Sequence, residues 1–251
     1  MDMVNDISST QEEIFADFPV IDILKCRYCG VCSGYCPEKA IQFNRFVPSV
    51  TLIVAMCFGC SECFKACNHK GIRMQKKLSG TIHQGSLGQN YFIAGRLADA
   101  TEFKLPLVKA LAERLLPDAT VICDFGPGND SAIRTGLSDM DIAALVIEPG
   151  TGWEQHLTSM LNMPELKDIC KGVILNKVKR EKEFVPAIKA YCLNHSLPLL
   201  GTIPFDKSFE NHSDFQRSSR SEIHVRTFSE LWKSLLELYF VSQAIPNETY
   251  K

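Results

Sequence analysis

The second half of the chain alternates between short apolar runs and segments with helical spacing. The apolar runs are bounded by polar or turn-forming residues, which is the pattern of strands buried in a parallel sheet. They are Thr120–Phe125, Ala143–Glu148, Gly172–Lys177 and Pro198–Ile203. The helical segments are Leu105–Leu116, Gly152–Leu161, Val185–Asn194 and Glu222–Val241. This alternation predicts an α/β fold in which helices flank a parallel sheet.

The first part of the chain follows a different pattern. The composition of residues 1–20 predicts a polar lead-in segment with a short helix at Thr10–Ala16. Residues 40–56, AIQFNRFVPSVTLIVAM, are rich in β-branched and aromatic residues and are interrupted by Asn44 and Pro48, which predicts two short paired strands. Leu78–Gly95 contains glycines and predicts a linker. The predicted domains are therefore the lead-in at 1–20, a small α+β domain at 21–77 and an α/β domain at 78–251.

Eight of the eleven cysteines form two copies of one spacing. The copies are Cys26-x2-Cys29-x2-Cys32-x3-Cys36-Pro37 and Cys57-x2-Cys60-x2-Cys63-x3-Cys67. At the same offset of 31 residues Lys39 matches Lys70 and Ile41 matches Ile72, so the region is an internal repeat. This spacing is typical of two-cluster bacterial ferredoxins, in which the fourth cysteine of each run ligates the other cluster.

The sequence therefore predicts a two-[4Fe–4S] ferredoxin-like domain with crosswise ligands. One cluster takes Cys26, Cys29, Cys32 and Cys67, and the other takes Cys57, Cys60, Cys63 and Cys36. Zinc is the alternative, but zinc ribbons use separated C-x2-C pairs, which a C-x2-C-x2-C run fits poorly. A disulfide framework is disfavoured by the odd cysteine count and by a start, MDMVNDISSTQEE, that does not resemble a secretory leader.

Composition narrows the classes of partner. The 27 basic and 29 acidic residues give a formal charge of −2 without a block of like charge, so neither nucleic acid nor an anionic membrane surface is an expected partner. No apolar run reaches the roughly 18 residues that a membrane span needs. A reducing, cytoplasmic location is expected, in which cysteine thiolates stay available to metal.

Polar and glycine residues stand at the ends of all four apolar runs, the second of which ends in Glu148-Pro149-Gly150. Because ligands bind at the carboxyl ends of parallel strands, these residues are candidate ligand groups. An acidic residue before glycines suits a Mg²⁺-nucleotide site, although the same residues also form ordinary turns that end strands. The candidates are Asp124, Gly126, Pro127, Gly128, Asn176, Pro204 and Asp206.

In this order and at these separations the chain resembles the MinD/Mrp group of deviant-Walker P-loop ATPases, in particular the branch with an inserted two-cluster ferredoxin domain. The resemblance covers about Pro19 to the C-terminus. It implies a P-loop NTPase-like α/β fold and assigns nucleotide roles along the chain. The implied roles are the Walker B aspartate for Asp124, the switch turn for Gly126–Gly128, the adenine-reading amide for Asn176, and the loop over the base for Pro204–Asp206.

One part of that family's pattern is missing. The motif G-x-x-x-x-G-K-[ST] occurs nowhere in the chain, and Gly80–Gly88 has glycines without a lysine. Autonomous ATP hydrolysis is not expected, because the P-loop positions and neutralises the triphosphate. The P-loop strand would also lie beside the Asp124 strand, whose edge must then be covered by a partner chain, by Tyr91–Ala98 or by closure of the sheet. A complete ATPase of the same family is the predicted partner.

The sequence thus predicts an iron–sulfur protein that serves electron transfer or metallocluster handling as an accessory to a MinD/Mrp-type ATPase. The alternative is a nucleotide-dependent ATPase, with ATP and Mg²⁺ as ligands, whose P-loop a partner chain supplies. A scaffold stapled by its clusters is a third possibility. Cys123, Cys170 and Cys192 are expected to be small buried apolar residues, because free cysteine is often interior.

Overall fold

The computed structural model describes residues 9–87, 90–98, 101–126, 131–138, 140–179, 184–207 and 222–244. Backbone contacts divide the chain into two compact units, Met1–Gly136 (unit 1) and Leu137–Lys251 (unit 2). This division falls later in the chain than the boundary expected after residue 77, because Leu78–Gly95 belongs to the sheet of unit 1.

Unit 1 contains two antiparallel sheets and short helices. Strand β1 pairs with β4, and β4 pairs with β5, while β2 and β3 form a separate hairpin as the sequence predicts. The elements are β1 (Ser9–Ile21), α1 (Val31–Gly34), β2 (Ile41–Asn44), β3 (Ser49–Leu52), a 3₁₀ turn (Val54–Met56), α2 (Glu62–Lys65), β4 (Ile72–Leu87), β5 (Asn90–Leu97), α3 (Leu105–Ala112) and α4 (Ser131–Leu137).

The helix predicted at Thr10–Ala16 is wrong, because this segment belongs to β1. Its backbone hydrogen bonds go to β4, which is more than fifty residues away in sequence, in a register that runs from Ser9 opposite Gly85 to Ile21 opposite Ile72. Ala16 and Phe18, two positions apart, pack against the core of unit 1, as the period of a strand requires. Long-range pairing thus overrides a local preference for helix.

The linker predicted at Leu78–Gly95 is also wrong, because residues 78–87 lie in β4 and residues 90–95 lie in β5. The glycines that suggested a linker let helix α3 approach the sheet closely. A Cβ atom added at Gly95 would lie 2.7 Å from a methyl carbon of Leu111 in α3. Such a distance is shorter than any van der Waals contact, so glycine serves packing here rather than flexibility.

Unit 2 confirms the α/β class, with a parallel three-stranded sheet in the order β6-β7-β8 flanked by helices. Its central strand buries the run Gly172–Leu175, and the last helix packs against the sheet through Leu231, which joins a cluster with Ile174 and Leu200. The elements are β6 (Ile142–Ile147), α5 (Trp153–Leu161), a 3₁₀ turn (Pro164–Leu166), β7 (Cys170–Val178), α6 (Val185–Asn194), β8 (Leu199–Pro204) and α7 (Glu222–Ala244).

The strand predicted at Thr120–Phe125 is not formed. This segment of unit 1 has no regular secondary structure, and the side chains of Val121 and Ile122 are 41% and 80% exposed. A strand needs a neighbour for its backbone N–H and C=O groups. Tyr91–Ala98, one of the segments considered for that role, contributes β5 and pairs with β4 instead.

Candidate metal centres

The two cysteine runs share one backbone conformation. Helices α1 and α2 begin 31 residues apart, and each follows a left-handed cap residue, Gly30 with φ 76° and Ser61 with φ 65°. Two further pairs are also left-handed at the same offset. They are Tyr28 with Gly59, at φ 50° and 74°, and Lys39 with Lys70, at φ 54° and 52°. A non-glycine residue in this region costs about 1–2 kcal/mol, so the surrounding loop must hold each one in place.

The turn after the fourth cysteine of each run is repeated as well. The backbone N–H of Lys39 donates to the carbonyl of Cys36 at 3.2 Å, and the N–H of Lys70 donates to the carbonyl of Cys67 at 3.2 Å. Both lysine side chains are exposed. The internal repeat seen in the sequence is therefore a repeat of backbone turns, and the matched lysines occupy its left-handed positions.

Four cysteines of the first predicted ligand set line one cavity, which we call site 1. They are Cys26, Cys29, Cys32 and Cys67. The space has a volume of about 370 Å³, open solvent included. Cys32 is buried, Cys26 and Cys67 are half-buried and Cys29 is exposed. Apolar walls come from Ile21, Val31, Val50 and Ile72, and polar ones from Arg27 and His69.

The second predicted set lines another cavity, which we call site 2. Its volume is about 360 Å³, open solvent included. Its cysteines are Cys36, Cys57, Cys60 and Cys63. Only Cys60 is exposed, and the other three are buried. The walls are mostly apolar, with Pro19, Ile41, Leu52, Met56, Phe58 and Met74, while Glu38 is their one ionisable residue besides the cysteines. Each cavity therefore combines the first three cysteines of one run with the fourth of the other.

Electrostatic coupling follows the same crosswise grouping. Burial, together with repulsion from the neighbouring Cys57, Cys60 and Cys36, raises the pKa of the Cys63 thiol to about 12. Burial likewise raises the pKa of Cys32, with additional repulsion from Cys26, Cys67 and Cys29. Four thiolates packed in this way repel one another unless a cationic centre compensates them, and a metal ion deprotonates its coordinating thiols.

Two backbone N–H groups donate to cysteine sulfur in site 1. The N–H of Tyr28 lies 3.5 Å from the Sγ of Cys26, and the N–H of Gly71 lies 3.3 Å from the Sγ of Cys67. A Cβ atom at Gly71 would stand 3.0 Å from the Cα of Cys26, so glycine permits this approach. Such N–H···S bonds are among the features that set the reduction potential of a thiolate-ligated cluster.

The donor set fits a polynuclear cluster. Within the described residues, no group of three or more Cys, His, Asp or Glu side chains lies close enough together to hold a single metal ion. A zinc ion needs its sulfur ligands at about 2.3 Å. Four cysteines at each cavity match the one thiolate per iron that a [4Fe–4S] cluster would bind.

The nucleotide candidates of unit 1 do not form a strand end. Asp124 and Gly126 are exposed in the irregular segment, and Pro127 and Gly128 lie outside the described residues. The ring of Phe125 packs on helix α4 at Gly136, where a Cβ atom would overlap it. The nucleotide role of these residues stays a prediction.

The candidates of unit 2 lie at the carboxyl ends of β7 and β8. The Asn176 Oδ1 accepts a hydrogen bond from the backbone N–H of Lys177 at 2.9 Å, and the Lys177 Nζ lies 2.5 Å from the Glu148 Oε1. Pro204 ends β8, and the Asp206 Oδ2 lies 3.2 Å from the Nε2 of the buried His224. These polar groups pair with one another, and their part in binding a nucleotide stays a prediction.

The cysteine spacing did not identify Arg27, Phe58 or Glu38 as parts of the sites. Arg27 lines site 1, whereas Phe58 and Glu38 line site 2. The repeat itself relates these residues. At the offset of 31 residues Arg27 matches Phe58, and Glu38 matches His69.

The remaining cysteines are not among the residues that line either cavity. Cys192 is buried in α6, whereas Cys123 and Cys170 are half-buried. Burial raises the pKa of the Cys192 and Cys123 thiols, which keeps them protonated at neutral pH. The expectation of burial is confirmed in full only for Cys192.

Comparison with known proteins adds no family assignment. No family model matches the chain, and no curated protein matches its sequence. Among the described helices, none combines the length and apolar character that crossing a bilayer requires.

Proposed function

We propose that this chain is an iron–sulfur protein that holds two [4Fe–4S] clusters and transfers electrons, or handles a metallocluster, as an accessory to a MinD/Mrp-type ATPase. The observation that supports it best is the crosswise grouping of cysteines in two separate cavities. Three cysteines of a run could share a loop through spacing alone. Only the fold brings the fourth cysteine of the other run beside them, as two-cluster ligation requires.

The arrangement of strands supports a ferredoxin-like domain. The order β1-α1-β2-β3-α2-β4, with β1 paired to β4 and β2 paired to β3, relates the two halves of the repeat. Cys32, Cys36, Cys57 and Cys63 belong to the buried core of this region together with Ile41, Ile72 and Phe103. Ligation by iron would compensate the thiolate charge that burial opposes at Cys32 and Cys63.

The residues of this chain would divide the work of cluster binding. The eight cysteines hold the metal, and a bound [4Fe–4S] cluster exchanges single electrons. The apolar walls exclude water from the sulfur atoms, which strengthens every charge interaction inside. Exposed Cys29 and Cys60 lie where each cavity meets solvent, the side from which an electron-transfer partner could approach.

The proposed ATPase partner is supported by the irregular segment around Asp124. This apolar run has no strand neighbour within the described residues, and Val121 and Ile122 are exposed. An apolar segment that has no hydrogen-bonded neighbouring strand is suited to pairing with a strand of another chain. An unchanged elution volume in size-exclusion chromatography on mixing with a MinD/Mrp-type ATPase would count against this part of the proposal.

Anaerobic purification tests the cluster proposal directly. We expect about eight irons and eight acid-labile sulfides per chain, and an EPR signal of two interacting clusters after reduction with dithionite. Cys29→Ala should reduce the iron content, whereas Cys192→Ala, which removes a buried cysteine outside both cavities, should leave it unchanged. Iron-free, colourless protein from iron-supplemented cells would refute the proposal.

Calorimetry with MgATP separates the proposal from the alternative nucleotide-dependent ATPase. The isolated chain is expected to give no binding signal while its clusters are intact, because no P-loop motif is present to position the triphosphate. Tight binding would favour the alternative, and Asp124→Asn would then be the first variant to examine.

A further inference from the structure

The repeat allows the two cavities to be compared position by position. Both share the same helices, caps and turns, so the differences between them come from side chains and from one additional hydrogen bond. Site 1 has Arg27 at its rim where site 2 has Phe58, and it has His69 where site 2 has Glu38. A cation thus lines site 1 and a carboxylate lines site 2, while Lys65, which interacts with Cys60 of site 2, is paired with Glu62 at 2.6 Å.

Hydrogen bonding to sulfur differs in the same sense. At matched positions, backbone N–H groups hydrogen-bond to sulfur in both sites. They are those of Ser33 and Tyr28 to Cys32 and Cys26 in site 1, and those of Phe64 and Gly59 to Cys63 and Cys57 in site 2. The N–H of Gly71 makes a further bond to Cys67 at 3.3 Å. Its counterpart, Ala40, makes no bond to Cys36 in the described part of the chain. Site 1 therefore has one more donor.

Burial is the third difference. Cys36, Cys57 and Cys63 of site 2 are 9%, 8% and 7% exposed, whereas in site 1 only Cys32 is buried. Reduction adds negative charge to a cluster whose thiolates are already negative. Solvent, N–H donors and a nearby cation stabilise that charge, while apolar burial and a nearby carboxylate oppose it. All three differences favour reduction of site 1.

We propose that the two clusters have unequal reduction potentials, and that the cluster at Cys26, Cys29, Cys32 and Cys67 takes the first electron. This rests on the function proposed above. The step is a single electron transfer from a low-potential one-electron reductant, which is oxidised as the site 1 cluster is reduced, with no bond or proton exchanged. An electron that enters at site 2 then passes downhill to site 1, which gives internal transfer a direction.

Redox titration of the full chain under anaerobic conditions, followed by EPR, tests the order of reduction. With one electron per chain, site 1 should be reduced at least about ten times as often as site 2, which corresponds to about 59 mV for a one-electron couple. Cys29→Ser and Cys60→Ser each alter one ligand of one cluster and so identify its EPR signal. They are matched, since both residues are exposed and 31 positions apart. The first signal to appear should change in Cys29→Ser and not in Cys60→Ser.

Variants that remove one charge test the cause of the unequal potentials while every cysteine ligand stays in place. At a fixed potential, Glu38→Gln should raise the reduced-to-oxidised ratio of site 2 by about two- to threefold, and Arg27→Gln should lower that of site 1 by a similar factor, since charges near the surface are screened. Glu154→Gln, at an exposed position on α5 in unit 2, is the control and should change neither ratio.

Iron and sulfide analysis of the same samples tests the presence of the clusters separately from their unequal potentials. About eight irons and eight sulfides with one shared potential, or with site 2 reduced first, would overturn the unequal potentials and leave the cluster proposal standing. Protein without iron would overturn both.

Discussion

The cysteine repeat of unit 1 and the strand ends of unit 2 were both predicted from sequence as ligand sites, yet they are built differently. In the repeat, left-handed turns at matched positions bring the cysteines into two cavities. At the strand ends, Asn176 and Asp206 already have partners, the backbone of Lys177 and the ring of His224. Local turns place three cysteines of each cavity and the fold of unit 1 brings in the fourth, whereas each strand-end group depends on the sheet around it.

If the repeat holds the proposed clusters, removal of iron should have the largest effect, and it should separate the two regions. Because four of the cysteines belong to the core of the repeat, loss of metal should abolish hydrogen-exchange protection in α1, α2, β2 and β3. The sheet of unit 2 contains no cavity cysteine, so protection of β6, β7 and β8 should persist. Retained protection throughout the repeat in iron-free protein would mean that its fold does not need the metal.

Leu231→Ala should destabilise unit 2 without changing the metal content of unit 1. This side chain is 6% exposed and packs against Ile174 and Leu200, so its truncation should lower the unfolding free energy of unit 2 by about 2–5 kcal/mol. Leu231 lines neither cavity, and iron content should stay unchanged. Chemical denaturation followed by tryptophan fluorescence measures the loss, since Trp153 and Trp232 both lie in unit 2. A parallel loss of iron would show that the metal sites depend on unit 2.

Gly59→Ala should disturb the repeat through its backbone. Gly59 has φ 74°, and a Cβ atom there would lie 2.7 Å from the carbonyl oxygen of Asp17. We expect a loss of about 1–2 kcal/mol from the left-handed conformation, with a further cost from the contact, and a lower iron content at site 2. Gly34→Ala in α1 is the matched control, because nothing lies within 4 Å of its added Cβ atom. Equal effects of the two substitutions would argue against positioning by turns.

Glu148→Gln should have the smallest effect. The Lys177 to Glu148 ion pair is 2.5 Å long, but both side chains are more than half exposed, so its contribution to stability should be below about 1 kcal/mol and should fall with added salt. Urea unfolding at low and high ionic strength measures it. A loss of several kcal/mol would show that the strand-end charges stabilise the fold far more than surface pairs usually do.

Patterns that depend on neighbouring residues were predicted well from the sequence. Helix α6 has the predicted bounds, Val185–Asn194, and β6, β7 and β8 lie on the predicted apolar runs. The β2–β3 hairpin was likewise read from β-branched residues around a turn. In each case spacing and turn chemistry act over a few residues, which is the range that a single sequence reports directly.

Elements that depend on distant partners were not predicted. Residues 10–16 become a strand only because β4 supplies their hydrogen bonds, and Thr120–Phe125 remains irregular where a ladder neighbour is lacking in the described part of unit 1. The glycines of β4 and β5 accommodate α3, which no local pattern reveals. Cysteine spacing suggested the crosswise sets through a known ligation rule, but their side-wall residues Arg27 and Glu38 became apparent only in the cavities.

The pairing of β1 with β4 has a consequence for the newly made chain. Ile21 leaves the ribosome well before its partner Ile72, and at typical rates of 5–20 residues per second the interval is about 3–10 s. Both cysteine runs are synthesised within that interval, before the ladder can enclose them. If the chain holds the proposed clusters, the nascent cysteine loops are thus accessible to iron and sulfide before β4 pairs with β1.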